Sequence, residues 1–291
     1  MRFYWKMLRS DWIALLAMGF LLAMVLVALV GPLLIEPSML RLNLRARHLP
    51  PFQLDQNWMY FLGADALGAS IIARMVVAAS TTLAIAFATV LLSLVIGTAI
   101  GLVTALRDNW LSAAVMRAID VLLSIPSLLL AMVILYALGA HPINVIAVLT
   151  ITRIPIFART ARSEALEIRE RGFVAAARVM GSNDMHVIVK HIVPLVMPTL
   201  LAIAALEFAV VMLAESTLTF LGIGVQPPDV TWGLMVAEGQ PYLASAWWVS
   251  LWPGLAIASI ALCATIIGNW FRIANDPTLR SRLKAEVTSH A

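Results

Sequence analysis

Charge is scarce in this sequence. Only 12% of its 291 residues are Asp, Glu, Lys or Arg, against about 25% in soluble domains. Hydrophobic residues make up 62% and the mean hydropathy is +0.92, more apolar surface than one core of this size can hide. The shortage of charge excludes a soluble enzyme, a secreted disulfide scaffold or a disordered tail, and makes lipid the solvent around much of the chain. The 20 Lys and Arg against 16 Asp and Glu leave a dispersed +4, too little for a nucleic-acid footprint. Cysteine is nearly absent. Cys263 alone permits no internal disulfide and no thiolate metal cluster, and within its apolar run it reads as a small buried hydrophobe. No Gly-x-x-x-x-Gly-Lys-Ser/Thr loop is present to cradle phosphates. His48, His141, His186, His191 and His290 are too scattered for a His-Glu-x-x-His zinc site, and His186 and His191 read as surface or cap residues. No catalytic residue, metal site or cofactor is therefore expected in the chain itself.

What is present is a series of apolar runs near the length of about 20 residues that crosses roughly 30 Å of hydrocarbon. They are 12–35, 76–106, 115–138, 142–157, 194–221 and 248–271. The fourth is the weakest, because Arg153 and Pro155 interrupt it, but the parity of the topology requires it. The expectation is an all-α polytopic membrane protein with six transmembrane helices. The first run follows Arg2, Lys6 and Arg9, as a signal peptide would. It is too long for a typical h-region and Gly31-Pro32-Leu33-Leu34 offers no clear cleavage site, so a retained helix is expected.

Placing both termini in the cytoplasm divides the basic residues unequally. Arg2, Lys6, Arg9, Arg107, Arg117, Arg153, Arg159, Arg162, Arg169, Arg171, Arg178, Lys190, Arg272, Arg280, Arg282 and Lys284 fall inside, and only Arg41, Arg45, Arg47 and Arg74 outside. Trp247, Trp248 and Trp252 stand at one end of the last run and Trp270 at the other, about 27–34 Å of helix apart. With Trp12 and Trp110 they read as two aromatic belts.

Three stretches lie between the runs. Residues 36–75, with Pro37, Pro50, Pro51 and Asp55-Gln56-Asn57, read as an extended external lid with a short helix after Gly68. Residues 222–247 contain Pro227-Pro228 and a candidate interfacial helix from Trp232 to Glu238. Residues 158–190 are cytoplasmic, charged and helix-prone, divided at Gly172, with Gly181 placed to end a helix and Ser182, Asn183 or Asp184 to cap the next. Phe173, Ala176, Ala177 and Met180 are spaced by 3 and 4, which predicts one small-and-apolar face. Either it folds back on its own bundle or a separate cytoplasmic protein receives it in a groove.

Glu207 and Glu215 sit inside the fifth run. A carboxylate in hydrocarbon costs at least about 2.5 kcal/mol, so both should face protein or an aqueous path. Hydrogen bonding to Ser, Thr or backbone groups, lining of a translocation path, and proton relay are the three readings.

The stretch 164–194 resembles the coupling loop of bacterial ABC importer permeases, in which a short helix bearing Glu-Ala-Ala, three residues and Gly enters a cleft of the ATP-binding subunit. On this sequence the Ala-Ala pair falls on Ala176 and Ala177, the glycine on Gly181, and the distal element on Ile192-Val193-Pro194. Ala175 stands where the family has its glutamate. Leu62-Gly63-Ala64-Asp65-Ala66-Leu67-Gly68 resembles the element before the second span in the peptide and nickel branch, with Ala64 in place of the usual threonine and Ala69-Ser70 where Arg-Asp is common. The run from Ser216 to Pro228 followed by Trp232-Gly233 is similar to the family's stretch after the fifth span. Ser245-Ala246-Trp247-Trp248 and Pro253-Gly254-Leu255-Ala256-Ile257 look particularly like the second permease subunit of a dipeptide importer. Asn275-Asp276-Pro277 keeps part of the closing pattern, while Asn269-Trp270-Phe271 departs from it.

The resemblance covers about residues 60–285 and implies a type I ABC permease fold in the bacterial cytoplasmic (inner) membrane. It implies three regions: 1–75, the first helix and external loop; 76–272, the permease core with coupling loop 159–192; and 273–291, a cytoplasmic tail. It also implies a homologous second permease, two ATP-binding subunits that use ATP and Mg, and an external solute-binding protein. ATPase coupling would fall to Phe173, Ala176, Ala177, Met180, Gly181 and Pro194, with Glu207 and Glu215 as path residues. Di- or oligopeptides lead as substrates over nickel, metal chelates, glutathione or another small solute. The competing class is a proton-coupled secondary transporter, which would show internal repeats not found here. A scaffold without transport leaves the polar residues without a purpose.

Overall fold

A computed structural model describes residues 7–8, 11–53, 57–106 and 109–275, and is helical throughout its spanning elements. Arg2, Lys6, Arg9, Asp55, Gln56, Arg107, Asp276-Pro277, Arg280, Arg282, Lys284 and His290 lie outside the described residues, as does most of the tail 273–291. Helix α1, Trp12–Leu34, starts where the Asp11 carboxylate accepts the Ala14 N–H at 3.1 Å. Helices α2 (Ile71–Leu106), α3 (Trp110–Ser124), α4 (Ser127–Leu138) and α5 (Pro142–Arg169) follow. The remaining elements are α6 (Gly172–Val179), α7 (Asp184–Val187), a π-helical turn (Ile188–Ile192), α8 (Val193–Phe220), α9 (Trp232–Gly239) and α10 (Trp248–Asn275).

Among the described residues, five helical stretches are long and apolar enough to cross a membrane, and a sixth crossing exists if α3 and α4 are taken as one broken span. The single run 115–138 expected from the sequence is thus corrected: the chain bends by 94° between α3 and α4. Pro126 is the cause. It has no N–H to continue the ladder, and it holds Ile125 in an extended conformation with ψ 132°. The short helix expected after Gly68 is the first turn of α2, whose 36 residues extend about 54 Å, well beyond the hydrocarbon thickness. The weak fourth run continues through Pro155 as α5, a 28-residue helix.

The bundle is organised on α2 and α5, its most extensively packed pair. Gly97 and Gly101 are one turn apart on α2 and face α5. A Cβ at Gly97 would stand 2.7 Å from both the Ile154 carbonyl and the Phe157 Cβ, and one at Gly101 would meet the Ala158 carbonyl and the Ala161 Cβ. The opposing α5 face is itself small, with Ala158, Ala161 and Ala165 fully enclosed. In lipid, helices associate through such close van der Waals approach rather than through water exclusion. Ser93 adds a bond across the same seam, donating to the Thr150 carbonyl at 3.3 Å as well as to Thr89 in its own helix. The glycine pair forms a G-x-x-x-G motif in the sequence.

At the opposite end from α6, the connection between α1 and α2 and the short helix α9 form a cap. Asp65 accepts the N–H groups of Leu67 and Ala69, both at 2.8 Å, and its other oxygen takes Arg74 at 2.6 Å; Arg74 reaches Glu238 of α9 at 2.5 Å. The helix expected from Trp232 to Glu238 is present. Trp232 is buried, its backbone N–H donating to Thr82 and its indole to the Met75 carbonyl. The tryptophans of the two expected belts differ in exposure. Trp12, Trp110 and Trp247 are exposed, but Trp248 is buried and donates to the Ala64 carbonyl at 3.1 Å, and Trp270 packs with Leu8, Ala14 and Ala274. An indole at a helix end serves a polar acceptor or a neighbouring helix as readily as a headgroup layer.

Gly101→Val should therefore lower the yield of folded protein in detergent and its melting temperature, because the atoms it meets are α5 backbone and the Ala161 Cβ fixed to it, which cannot move aside. Gly254→Ala, at a site with open space around it, should be neutral or slightly stabilising in the same fluorescence-detected melting experiment.

Candidate coupling surface and intramembrane acids

The segment after α5 is folded by local rules. Helix α5 ends at Arg169, whose guanidinium donates to the Ala105 carbonyl near the end of α2 at 2.8 Å, satisfying a carbonyl that the helix leaves free. Gly181 follows α6 with φ +88°, a left-handed conformation in which side chains are strained, and Ser182 N–H returns to the Ala177 carbonyl at 3.1 Å. Of the three expected caps, Asn183 is the one used: its side chain accepts the His186 N–H at 2.8 Å. The π-helical turn before α8 has a cause in Pro194, which cannot donate to the Lys190 carbonyl; the Val193 N–H instead reaches back to Ile188.

The four-residue stripe does not form one face. Ala177 is buried together with Val174, turned toward the chain's own bundle, while Phe173 and Ala176 are exposed. Met180 is 81% exposed and Val179 88%. Both alternatives raised by the sequence thus hold for different residues: part of the stripe folds inward and part remains open. Gly181 lies beyond the end of α6 with nothing near its Cβ position, and Pro194 lies in the first turn of α8. The rings of Phe173, His191 and His186 follow one another at 6.2 and 6.0 Å along the base of the segment. Among the described residues, no group of three or more His, Cys, Asp or Glu side chains is placed to hold a metal ion.

The two acids of α8 go to different neighbours. Glu207 meets Arg153 of α5 at 3.5 Å, and Arg153 also donates to Ser127, the first residue of α4, at 3.1 Å. Arg153, assigned to the cytoplasmic side by charge counting, therefore lies within the bundle beside the α3/α4 break, where a buried charge requires a partner. An arginine in the fourth apolar run and a glutamate in the fifth were the available signal for this pair. Glu215 is fully buried and receives the hydroxyls of Thr219 at 2.9 Å and Ser216 at 3.3 Å. Thr231, the N-cap of α9, also lies in hydrogen-bonding reach of it. Thr219 in turn accepts the Val225 N–H at 3.1 Å, so the Glu215 site fixes the turn that leads to α9.

A bundle of this kind, with small-residue seams, an internal ion pair and a projecting helical segment, is a polytopic helical membrane protein. Comparison with known proteins gives the family. Residues 97–281 match the model described as "Binding-protein-dependent transport system inner membrane component", and residues 2–51 match the N-terminal TM domain of oligopeptide transport permease C. A putative peptide transport system permease protein of Brucella suis is 37% identical over 89% of this chain and 86% of its own length. The dipeptide transport system permease protein DppC of Alkalihalophilus pseudofirmus is 32% identical over 95% and 89%. The glutathione transport system permease protein GsiD of Pectobacterium atrosepticum is 31% identical over 81% and 82%. In fold, the chain is similar to a chain of the inward-facing MetNI methionine ABC transporter, with a TM-score of 0.56, 21% identity, and coverage of 70% of this chain and 94% of that one. The chain belongs to the bacterial ABC-importer permeases of the peptide/nickel family and is a component of the inner membrane.

The ion pair makes a quantitative prediction. Arg153→Ala leaves Glu207 buried without its cation and should destabilise the detergent-solubilised protein by about 3 kcal/mol. Arg153→Met combined with Glu207→Met should recover most of the loss, measured as denaturation midpoints of the two variants against the parent.

Proposed function

We propose that this chain is the transmembrane permease subunit of an ATP-driven importer that translocates di- or oligopeptides delivered by an external binding protein. The single observation that carries the peptide assignment is the set of peptide and dipeptide permeases at 32–37% identity over about nine-tenths of the chain. Similarity to the glutathione permease at 31% supports a second reading, in which the cargo is glutathione, itself a tripeptide with an unusual linkage. Nickel and metal chelates remain within the family's range. The chain pairs with a homologous permease, and two ATP-binding subunits dock below. ATP binding by those subunits draws the permease pair toward the outward-facing state, and hydrolysis resets it.

In this reading both termini and the 159–192 coupling loop are cytoplasmic, region 1–75 is the first helix with its external loop, the core spans 76–272, residues 273–291 form the tail, and 36–75 with 222–247 lie outside. The docking contacts are Phe173, Ala176 and Met180, supported by their exposure, with Ala177 setting the orientation of α6 from inside and Gly181 and Pro194 shaping its exit. Glu207 borders the path through its pair with Arg153, and Glu215 holds the α8–α9 corner.

Two measurements test this. Met180→Asp should weaken retention of the ATPase subunits by about tenfold or more while leaving membrane insertion intact, because a charge enters an apolar contact without a partner. Ala177→Asp should reduce folded yield first, since that position is enclosed by the chain's own bundle. Equal retention of ATPase subunits by Met180→Asp and parent would refute the docking assignment. The second measurement is uptake by the reconstituted complex: a dipeptide should stimulate ATP hydrolysis and accumulate, with glutathione and nickel as the competing cargoes. Glu215→Gln should keep most of that uptake, because the amide still accepts hydrogen bonds; loss of uptake together with loss of dependence on a proton gradient would favour a secondary transporter instead.

A further inference from the structure

The connection between α1 and α2 has two features that transport leaves unused, a row of open leucines and three arginines. Helix α1 ends with Leu33, 84% exposed, and Leu34, also exposed, on a surface that meets acyl chains in a membrane helix. Beyond a short polar step at Glu36 and Ser38, Leu40, Leu42 and Leu44 are exposed, the last at 67%. Arg41, Arg45 and Arg47 stand exposed among them.

Backbone bonds explain why these side chains are left outward. Ser70 N–H donates to the Met39 carbonyl at 3.1 Å and Asn43 N–H to the Leu67 carbonyl at 2.9 Å. The Asn43 carbonyl lies against Gly68, whose φ of +80° and lack of a side chain permit the approach. The segment is therefore fastened through its main chain at 39 and 43, and its leucines are free of that attachment. Its height is fixed by α10. Phe52, in the same connection, meets Trp252 edge-on at 6.1 Å, and Trp248 donates to Ala64 at 3.1 Å, so the connection sits level with the end of a span.

We propose that residues 37–47 lie in the membrane interface, with Leu40, Leu42 and Leu44 in the acyl boundary and the guanidiniums of Arg41, Arg45 and Arg47 on lipid phosphates. The occupant is a phospholipid surface because the exposed leucines follow the end of α1 closely in a connection held level with the start of α10, and because an arginine stem covers apolar area while its fork binds phosphate oxygens. This contact ties the cap to the bilayer and accounts for three arginines on the side otherwise poor in them. It goes beyond the transport reading and does not depend on ATP or on cargo.

The test uses the full-length chain with Cys263→Ala and a single cysteine, Leu42→Cys or Leu44→Cys, carrying an environment-sensitive fluorophore. The protein is reconstituted in nanodiscs of phosphatidylcholine and phosphatidylglycerol containing brominated forms of either lipid. Both labels should be quenched strongly by brominated lipid and weakly by aqueous iodide. Brominated phosphatidylglycerol should quench at least about twofold more, and Arg41→Gln with Arg45→Gln and Arg47→Gln should abolish that preference. A label at Phe87→Cys, on the exposed side of α2, reports correct insertion of every variant. Quenching by iodide alone at both sites would overturn the proposal. Unchanged lipid preference after removal of the arginines would overturn the phosphate contact. Shielding from iodide that arises only when a solute-binding protein is added would assign the patch to a protein instead.

Discussion

The approach of α2 to α5 at Gly97 and Gly101 is the contact on which the other packing depends. Lipid offers no hydrophobic gain for bringing two apolar helices together, so attraction comes from atoms in van der Waals contact and from hydrogen bonds across the seam. Removing two side chains from α2 and facing them with Ala158 and Ala161 lets the backbones meet, and the Ser93 bond to Thr150 then forms at the same interface. With that axis fixed, α5 carries Arg153 to Glu207 on α8 and Arg169 to the end of α2.

Most hydroxyls in the bundle bond within their own helix, whereas its enclosed arginines join elements distant in sequence. Arg153 links α5, α8 and the start of α4; Glu215 holds Thr219, which takes the Val225 N–H in the turn after α8; Arg74 joins the cap to α9. In a low-dielectric interior each such group costs free energy unless satisfied, so each acts as a constraint on register more than as a source of net stability. The break at Pro126 places Ser127 beside Arg153, so the backbone irregularity and the charge occur together, and the helix end offers polar groups where an unbroken span would offer none.

The coupling segment has a different logic. Its inward residues, Val174, Ala177, Val187 and Ile192, are held by the bundle, whereas Phe173, Val179 and Met180 extend outward on short helices closed by Gly181 and Asn183. In the proposed docking reading, this buried anchor beneath an open apolar face connects a docked subunit to the spanning helices, through α5 on one side and α8 on the other.

The sequence by itself determined the helical membrane class, the runs that became α1, α2, α5, α8 and α10, the helix α9, and the division of the coupling segment at Gly172 and Gly181. These features rest on the local length of apolar runs and on the backbone preferences of Gly, Pro and Asn, which act over a few residues. Only the tertiary structure decided that the third run is two helices, that Ala177 faces inward and Met180 outward, that Trp248 and Trp270 are packed within the chain, and that Arg153 belongs with Glu207. Each of those depends on which helix lies beside which. Hydropathy cannot report that in lipid, because a residue facing acyl chains and one facing another helix are equally apolar; the small-residue seam and the pairing of buried charges are what distinguish them.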